Sequence, residues 1–360
     1  MSRGDVLMVA SQFGRKLDFF DTTTLDKLDT LPDLIAQPHE MAWDGGRRLA
    51  YLAHTYRAGA YGEGRPRAHE ISVIDPDARK IVDVIDIHPY LAPHDVEFDP
   101  ATDLIYTGVE SQDGRNGIVV IDAVTREIVA DIALRARNAH WLCITPDGAK
   151  AYVTHKEAAF ISVVDLRERR QLGEIPCPAG AEELDCSPDG RFVFAATPMM
   201  SLVINVSQGQ LNKATPPAGT PTPRLLKIAT STDEVVGQLD FDEYLAALRI
   251  APDGRVVVTE FRFPEPGTVP DGPVSGRVHV VDPDSLELLA SILVDELPFT
   301  TRFSTDGGTA YVANLKTGSV SVIDLGTYRV TATLDNNIGP AFGGSHGMCV
   351  VPAPGRASDA

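Results

Sequence analysis

Seven copies of one short unit predict an all-β chain folded as a seven-bladed β-propeller of four-stranded antiparallel blades. Two observations carry this. The strand-like segments, among them GIVVIDAVT, RVHVVDPDS and the paired AYVANLKTGSVSVIDL, are short, β-branched and separated by turn residues, and no long segment shows a helical period. The chain is also self-similar: HWLCITPDGAKAYVTH from His140 matches EELDCSPDGRFVFAAT from Glu182, AALRIAPDGRVVVTEF from Ala246 and FTTRFSTDGGTAYVAN from Phe299. Looser copies begin at His39 and His94, and a truncated seventh, HGMCVVP, begins at His346.

Each full copy reads as a first strand, a PDG-type turn, a second strand, a loop, a VIDP or VVDL third strand, a short turn and a fourth strand such as REIVADIAL. The starts at residues 39, 94, 140, 182, 246, 299 and 346 lie 42 to 64 residues apart, the period of a propeller blade with insertions. The N-terminus enters at a second strand, DVLMVAS, and lacks a first one. GMCVVP supplies it, so the C-terminal strand is expected to join the N-terminal blade and close the ring without a free edge there. The expected organisation is a single propeller domain over residues 1–353 and a frayed tail over 354–360.

Composition narrows the function. The 360 residues are 43% hydrophobic and 23% charged, as in ordinary globular chains, which excludes disorder. No apolar stretch approaches the roughly 18 residues of a membrane span, and the first residues do not read as an export signal, so the cytoplasm is the expected location. Thirty-two basic residues against 50 acidic ones give a net charge of -18, which repels phosphate backbones and anionic lipid and argues against nucleic-acid and membrane partners. The four cysteines have no CxxC spacing and read as reduced fillers of apolar space. There is no GxSxG elbow, P-loop or HExxH. Asp147, Asp189, Asp253 and Asp306 belong to hairpin turns whose glycines supply a positive φ, and are not paired catalytic carboxylates.

The segment FSTDGGTAYVANLKTGSVSVIDLGTYRVTATL resembles the YVTN-repeat family of seven-bladed propellers, which is similar in turn to lactonase-type propellers and to the propeller domains of some copper and haem reductases. The resemblance extends over almost the whole chain, but it implies an architecture more than an activity.

Function therefore has to be read from departures from the repeat. In propeller geometry the first strand of every blade lines the central channel, so equivalent positions at its start form a ring at the channel mouth. That ring reads His346, His39, His94, His140, Glu182, Ala246, Phe299 in circular order. Nine histidines scattered over 360 positions would place far fewer than one on seven chosen sites, yet four stand here side by side. Converging neutral imidazoles suit a transition metal, Cu, Fe or Zn, better than Mg or Ca. The other reading is hydrogen-bonded channel fillers around ordered water. His39, His94, His140 and His346 are the expected metal ligands, and Glu182 a ligand, an orienting acceptor or a general base. A second ring, at the ends of the second strands, brings His54 and His155 over the same half of the mouth as candidate catalytic groups, with Glu110 and Glu260 beside that ring.

Three insertions between second and third strands, 54–69, 198–224 and 262–276, are expected on the same face. Tyr56, Arg57, Tyr61 and Arg65 in the first, together with Glu260 and Phe299, are candidate substrate contacts, since Arg and Tyr suit an anionic or aromatic ligand. The expected function is a metal-dependent enzyme, oxidoreductase or lyase, acting on a small organic metabolite. The alternatives are a metal-independent lactonase or isomerase, which the family resemblance implies, and a non-catalytic scaffold for a ligand or protein.

Overall fold

A computed structural model of the chain describes residues 4–58, 66–110, 114–207, 210–264, 272–336 and 344–355, without the side chains of 203–212. Burial sorts the strands by depth. Second strands such as Lys150–His155 are buried almost throughout, whereas fourth strands such as Lys80–Asp86 are mostly exposed, because only the latter lie at the perimeter with a free edge. Blade one consists of Gln37–Asp44, Leu49–Tyr56, Glu70–Asp75 and Lys80–Asp86, hydrogen-bonded in that order, and five further blades repeat the pattern to Arg329–Asp335. The seventh blade is mixed in origin: Lys27–Leu31, Lys16–Asp21 and Val6–Ser11 are completed by Ser345–Val351 as innermost strand. The expected seven-bladed propeller, closed by its C-terminal strand, is therefore the observed fold.

The innermost strands contact one another in cyclic order around the channel. Between successive blades lie seven apolar clusters, one at each junction. Leu7, Val9 and Met348 from the closing blade, for example, pack on Tyr311, Ala313 and Val320 of blade six. Each fully buried aliphatic side chain contributes roughly 1.5–3 kcal/mol relative to exposure, so it is these face-to-face junctions that hold the blades together. At the first hairpin of four blades, Gly148, Gly190, Gly254 and Gly307 adopt φ between 64° and 91°, as the turn chemistry requires. The adjacent acids are turn formers, as expected: Asp147 Oδ1 accepts from Thr145 Oγ1 at 2.7 Å and Ala149 N at 3.1 Å.

One feature of the innermost strands departs from simple alternation. In six blades the ladder shifts at the ring position, so that two residues oppose one: His39 and Glu40 oppose Ala53, and His94 and Asp95 oppose Gly108. The same shift sets His140 and Trp141 against Thr154, Ala246 and Ala247 against Thr259, Phe299 and Thr300 against Ala313, and His346 and Gly347 against Ala10. In blade four the hydrogen bonds Glu182 N to Ala196 O and Ala196 N to Glu183 O trace the same bulge. A bulge re-aims side chains at the rim of a closed sheet. Gly347 is required by the adjacent innermost strand, since a Cβ there would stand 1.7 Å from His39 O.

The 198–224 insertion is more structured than a plain loop. One helical turn, Met200–Val203, leads into a hairpin of Ile204–Ser207 with Gln210–Lys213, whose strands pair with each other.

Candidate functional site: the histidine-lined channel mouth

Four of the bulges carry His39, His94, His140 and His346 side by side on neighbouring innermost strands. His39, His94, His140 and His346, each only 3–4% exposed, form one contiguous row of imidazoles. His346 stacks on His39 with centroids 4.5 Å apart and planes 18° apart, His39 meets His94 edge-on at 4.5 Å, and His94 meets His140 at 4.1 Å. Phe299 packs edge-on against His346 at 4.8 Å. Trp141, fully buried, meets His94 and His140 edge-on with centroids 5.7 and 5.9 Å away.

Burial dominates the electrostatics. Removal from water holds His39, His94 and His140 well below the ordinary imidazole range, and Lys156 and neighbouring imidazoles push the same way, so these rings are neutral. Glu182 is raised to about 7 by burial, against the opposing pull of the Met200 N–H, Lys156 and Tyr244. Its Oε2 accepts from Met200 N at 2.7 Å, while Oε1 stands 3.7 Å from His140 Nε2. His94 Nδ1, His140 Nδ1 and Trp141 Nε1 are buried without a hydrogen-bond partner, as are polar atoms elsewhere in the blades. A ligand or ordered water at the mouth would satisfy those of the ring.

Above the row sits a clasp that alternation alone does not reveal. Tyr56 OH donates to Glu110 at 2.8 Å and accepts from Lys156 Nζ at 2.9 Å, Lys156 is ion-paired with Glu110, and Arg67 Nε approaches Glu110 at 3.8 Å. Tyr56 meets the edge of His39 at 5.8 Å, so this cluster from blades one, two and three borders the histidines. The second bulge residues Glu40, Asp95 and Glu183 belong to a charged layer beside the row. Arg302 and Arg249 face Glu40, Glu97, Glu183 and Asp185, with Arg302 Nη2 3.0 Å from Glu40 Oε2 and Arg249 Nε 3.3 Å from Glu183 Oε1. Asp95 in this layer is raised to about 8, chiefly by burial and then by Glu97. Glu40 goes the other way: burial would raise it, but the hydrogen bond from His346 and the nearby guanidiniums outweigh burial and hold it low.

Other predicted residues go elsewhere. His54 and His155 are fully buried inside their blades, their Nε2 atoms 2.7 Å from Ser72 Oγ and 2.8 Å from Ser162 Oγ on the adjacent third strands. They pin strands together, as Asn314 does through Ser319 and Ser321 at the equivalent position of blade six. Arg57 turns back onto Glu70, and Glu260 lies between His279, 3.2 Å away, and Arg277, 3.6 Å away. Tyr61 and Arg65 lie outside the described residues, as do 356–360 of the tail. Glu40, Trp141, Lys156 and Tyr244 escaped the reading of the sequence. For Glu40 a signal existed, because the position after the ring reads Glu40, Asp95, Trp141, Glu183 around the same half of the channel.

Among the described residues no group of three or more His, Cys, Asp or Glu stands as a ready metal cage. The imidazoles stack and cross edge-on in van der Waals contact, so common ligation requires some of the rings to turn.

Fold and site together define a seven-bladed propeller with a polar, buried channel mouth. The chain is similar to hydrazine synthase of Kuenenia stuttgartiensis, with 14% identity, TM-score 0.66, and 89% of this chain and 96% of that one covered. It is similar to a protein of unknown function from Desulfotomaculum acetoxidans at 11% identity and TM-score 0.70, with 97% and 99% covered. It also resembles the dihydro-heme d1 dehydrogenase NirN in its complex with DHE at 15% identity and TM-score 0.59, with 93% of this chain and 64% of that one covered. No family model and no curated protein sequence matches the chain, so the resemblance to the YVTN-repeat family gains no support there. Identities this low establish the shared fold alone. Among the described residues no helix is long and apolar enough to cross a membrane.

Proposed function

We propose that the channel mouth is a transition-metal centre, for Cu, Fe or Zn, and that the protein is a metal-dependent enzyme, oxidoreductase or lyase, acting on a small organic metabolite. One observation carries this reading: four buried imidazoles from four consecutive blades lie in a single row with centroids 4.1–4.5 Å apart between neighbours. Burial keeps three of them in the neutral form that ligates metals. The donor set fits, since neutral nitrogen ligands favour a borderline transition metal and the orphaned nitrogens of His94 and His140 leave those rings free of a fixed tautomer. A bound metal would supply Lewis-acid or redox chemistry.

The chain's own residues do the rest. Trp141 and Phe299 form apolar walls that exclude water. Lys156 presents an ammonium beside the row, already oriented by Tyr56 and Glu110, which suits a substrate with an anionic group. Glu182, raised to about 7 beside His140, takes or returns a proton at Oε1 near neutral pH. Hydrazine synthase and NirN are enzymes on the same fold, which makes catalysis on this one unexceptional. We place the single propeller domain at residues 1–353 and the protein in the cytoplasm, where its four free thiols would stay reduced, with no nucleic-acid or membrane partner.

The test is elemental analysis of purified protein after reconstitution with Fe(II), Cu(II) or Zn(II). Near-stoichiometric metal that disappears in a His94→Ala/His140→Ala double variant supports the centre, and metal-free protein overturns it. The pairing of Glu182 with His140 favours a second reading, metal-independent proton transfer of the lactonase or isomerase kind. That reading requires full turnover after exhaustive chelation.

A further inference from the structure

The four imidazoles are not equivalent. His94 and His140 have Nδ1 atoms with no partner, and His39 Nδ1 has only its neighbour's carbonyl, Pro38 O, at 3.3 Å. His346 Nδ1 alone meets a carboxylate, Glu40 Oε1, at 2.9 Å. Glu40 is fully buried, and its other oxygen accepts from Arg302 Nη2 at 3.0 Å. Arg302 is in turn fixed by donating to Thr301 O at 2.8 Å. The His346 ring is held from its remaining sides by His39, stacked at 4.5 Å, and Phe299, edge-on at 4.8 Å, and its backbone carbonyl accepts from Thr300 Oγ1. The chain from Arg302 through Glu40 to His346 crosses the seam where the two ends of the polypeptide meet, joining blade six, blade one and the closing strand.

We propose that Glu40, anchored by Arg302, is the positioning residue of the channel mouth: it fixes His346 as the Nδ1–H tautomer, so that the Nε2 lone pair is the ring's one strong, preset nitrogen donor. An ionised carboxylate accepts only, so the proton between it and His346 sits on Nδ1; in the neutral ring that ligates a metal, Nε2 is then the nitrogen with the free lone pair. A carboxylate behind an imidazole also raises its donor strength, and loss of such a partner costs roughly 10–100-fold in metal affinity. This rests on the metal-centre reading as far as affinity is concerned; the tautomer does not.

The experiment separates the two. Protein labelled with 15N at histidine, without added metal, is examined by long-range 1H–15N correlation, with His346 assigned from a His346→Gln variant. Zn(II) alone is then titrated calorimetrically into the wild type, Glu40→Gln and Arg302→Lys. The expected result is an unprotonated Nε2 at His346 in the wild type, a mixed tautomer in Glu40→Gln, and Zn(II) binding weakened roughly 10–100-fold in Glu40→Gln and less in Arg302→Lys. A wild-type His346 that carries its proton on Nε2 overturns the inference without any variant having to fold. So does a Glu40→Gln variant with both tautomer and affinity unchanged. If the wild type binds no Zn(II), Cu(II) or Fe(II), the metal centre fails and the tautomer measurement alone decides the role of Glu40.

Discussion

Glu182 Oε1 stands 3.7 Å from His140 Nε2, two buried groups from adjacent blades facing each other across the channel mouth. The carboxyl is raised by burial from its ordinary 4.5 to about 7. Between those values the folded protein holds a proton that the unfolded chain has released, so stability falls as pH rises from 4.5 to 7 and stays reduced above that. Glu182→Gln removes the titration. The variant is expected to gain stability relative to wild type on going from pH 5 to pH 8, by up to about 3 kcal/mol. Urea denaturation at the two pH values checks this, and an equal difference at both would contradict it.

His54 and His155 have the opposite sign. Burial lowers each from 6.5 to about 4, so below pH 6.5 the unfolded chain takes up protons that the folded one refuses. Their neutral burial costs nothing above 6.5, and stability is lost progressively as pH falls from 6.5 to about 4. Asn314 shows that an amide fits the same position while bonding two serines. The double substitution His54→Asn/His155→Asn is expected to flatten the acid limb of a plot of Tm against pH. A limb as steep as that of wild type would show that these two rings do not titrate as described.

Closure of the ring depends on one strand. Met348 is fully buried between Leu7, Val9 and blade six, and Ser345–Val351 pairs with Val6–Ser11 along its length. Met348→Ala is expected to cost about 2–5 kcal/mol. Deleting residues 345–360 exposes the edge of the N-terminal strand and is expected to give insoluble or oligomeric protein, read by light scattering.

Gly347→Ala tests the bulge. The added Cβ meets His39 O at 1.7 Å, a backbone atom that cannot step aside. A loss of at least about 1–3 kcal/mol is expected in thermal or urea unfolding. The His39–His346 stack should move as well, visible as changed histidine 15N shifts. Unchanged stability would mean that the strands do not approach as closely as described.

Lys156→Met leaves Glu110 buried, with Arg67 Nε 3.8 Å away. Removing one partner of a buried pair costs about 3–5 kcal/mol, which urea denaturation reads. The double variant Lys156→Met/Glu110→Gln is expected to recover most of that loss, and a double variant as unstable as Lys156→Met would place the cost in lost packing instead.

The repeat made the architecture legible before any coordinates. Superposing ITPDG, CSPDG, IAPDG and FSTDG fixed blade number, strand order and closure, because each blade solves the same local problem with the same turn glycine and β-branched strands. It also brought His39, His94, His140, His346, Glu182 and Phe299 to one ring, since equivalent positions in a cyclic repeat are neighbours in space. The inward turn of Glu40 and Trp141 does not follow from alternation, even though acidic residues recur at the position after the ring. Period-two alternation sends the residue after a ring position to the opposite face, and only the two-against-one bulge keeps both beside the channel. The same limit misplaced His54 and His155, whose strand ends lie near the mouth while their rings turn into the blade toward Ser72 and Ser162.

What the sequence determined by itself, then, is everything that repeats: the all-β class, the seven blades, the closing strand and the register of the histidines. Tertiary structure alone decided what is unique to one place. Glu40 reaches His346 across 306 residues of chain, and Lys156 joins Tyr56 across 100, because ring closure and blade packing bring together side chains whose separation along the chain carries no local signal. Local propensity sets the units, while the pairing of buried charges follows from which surfaces the closed ring forces out of water.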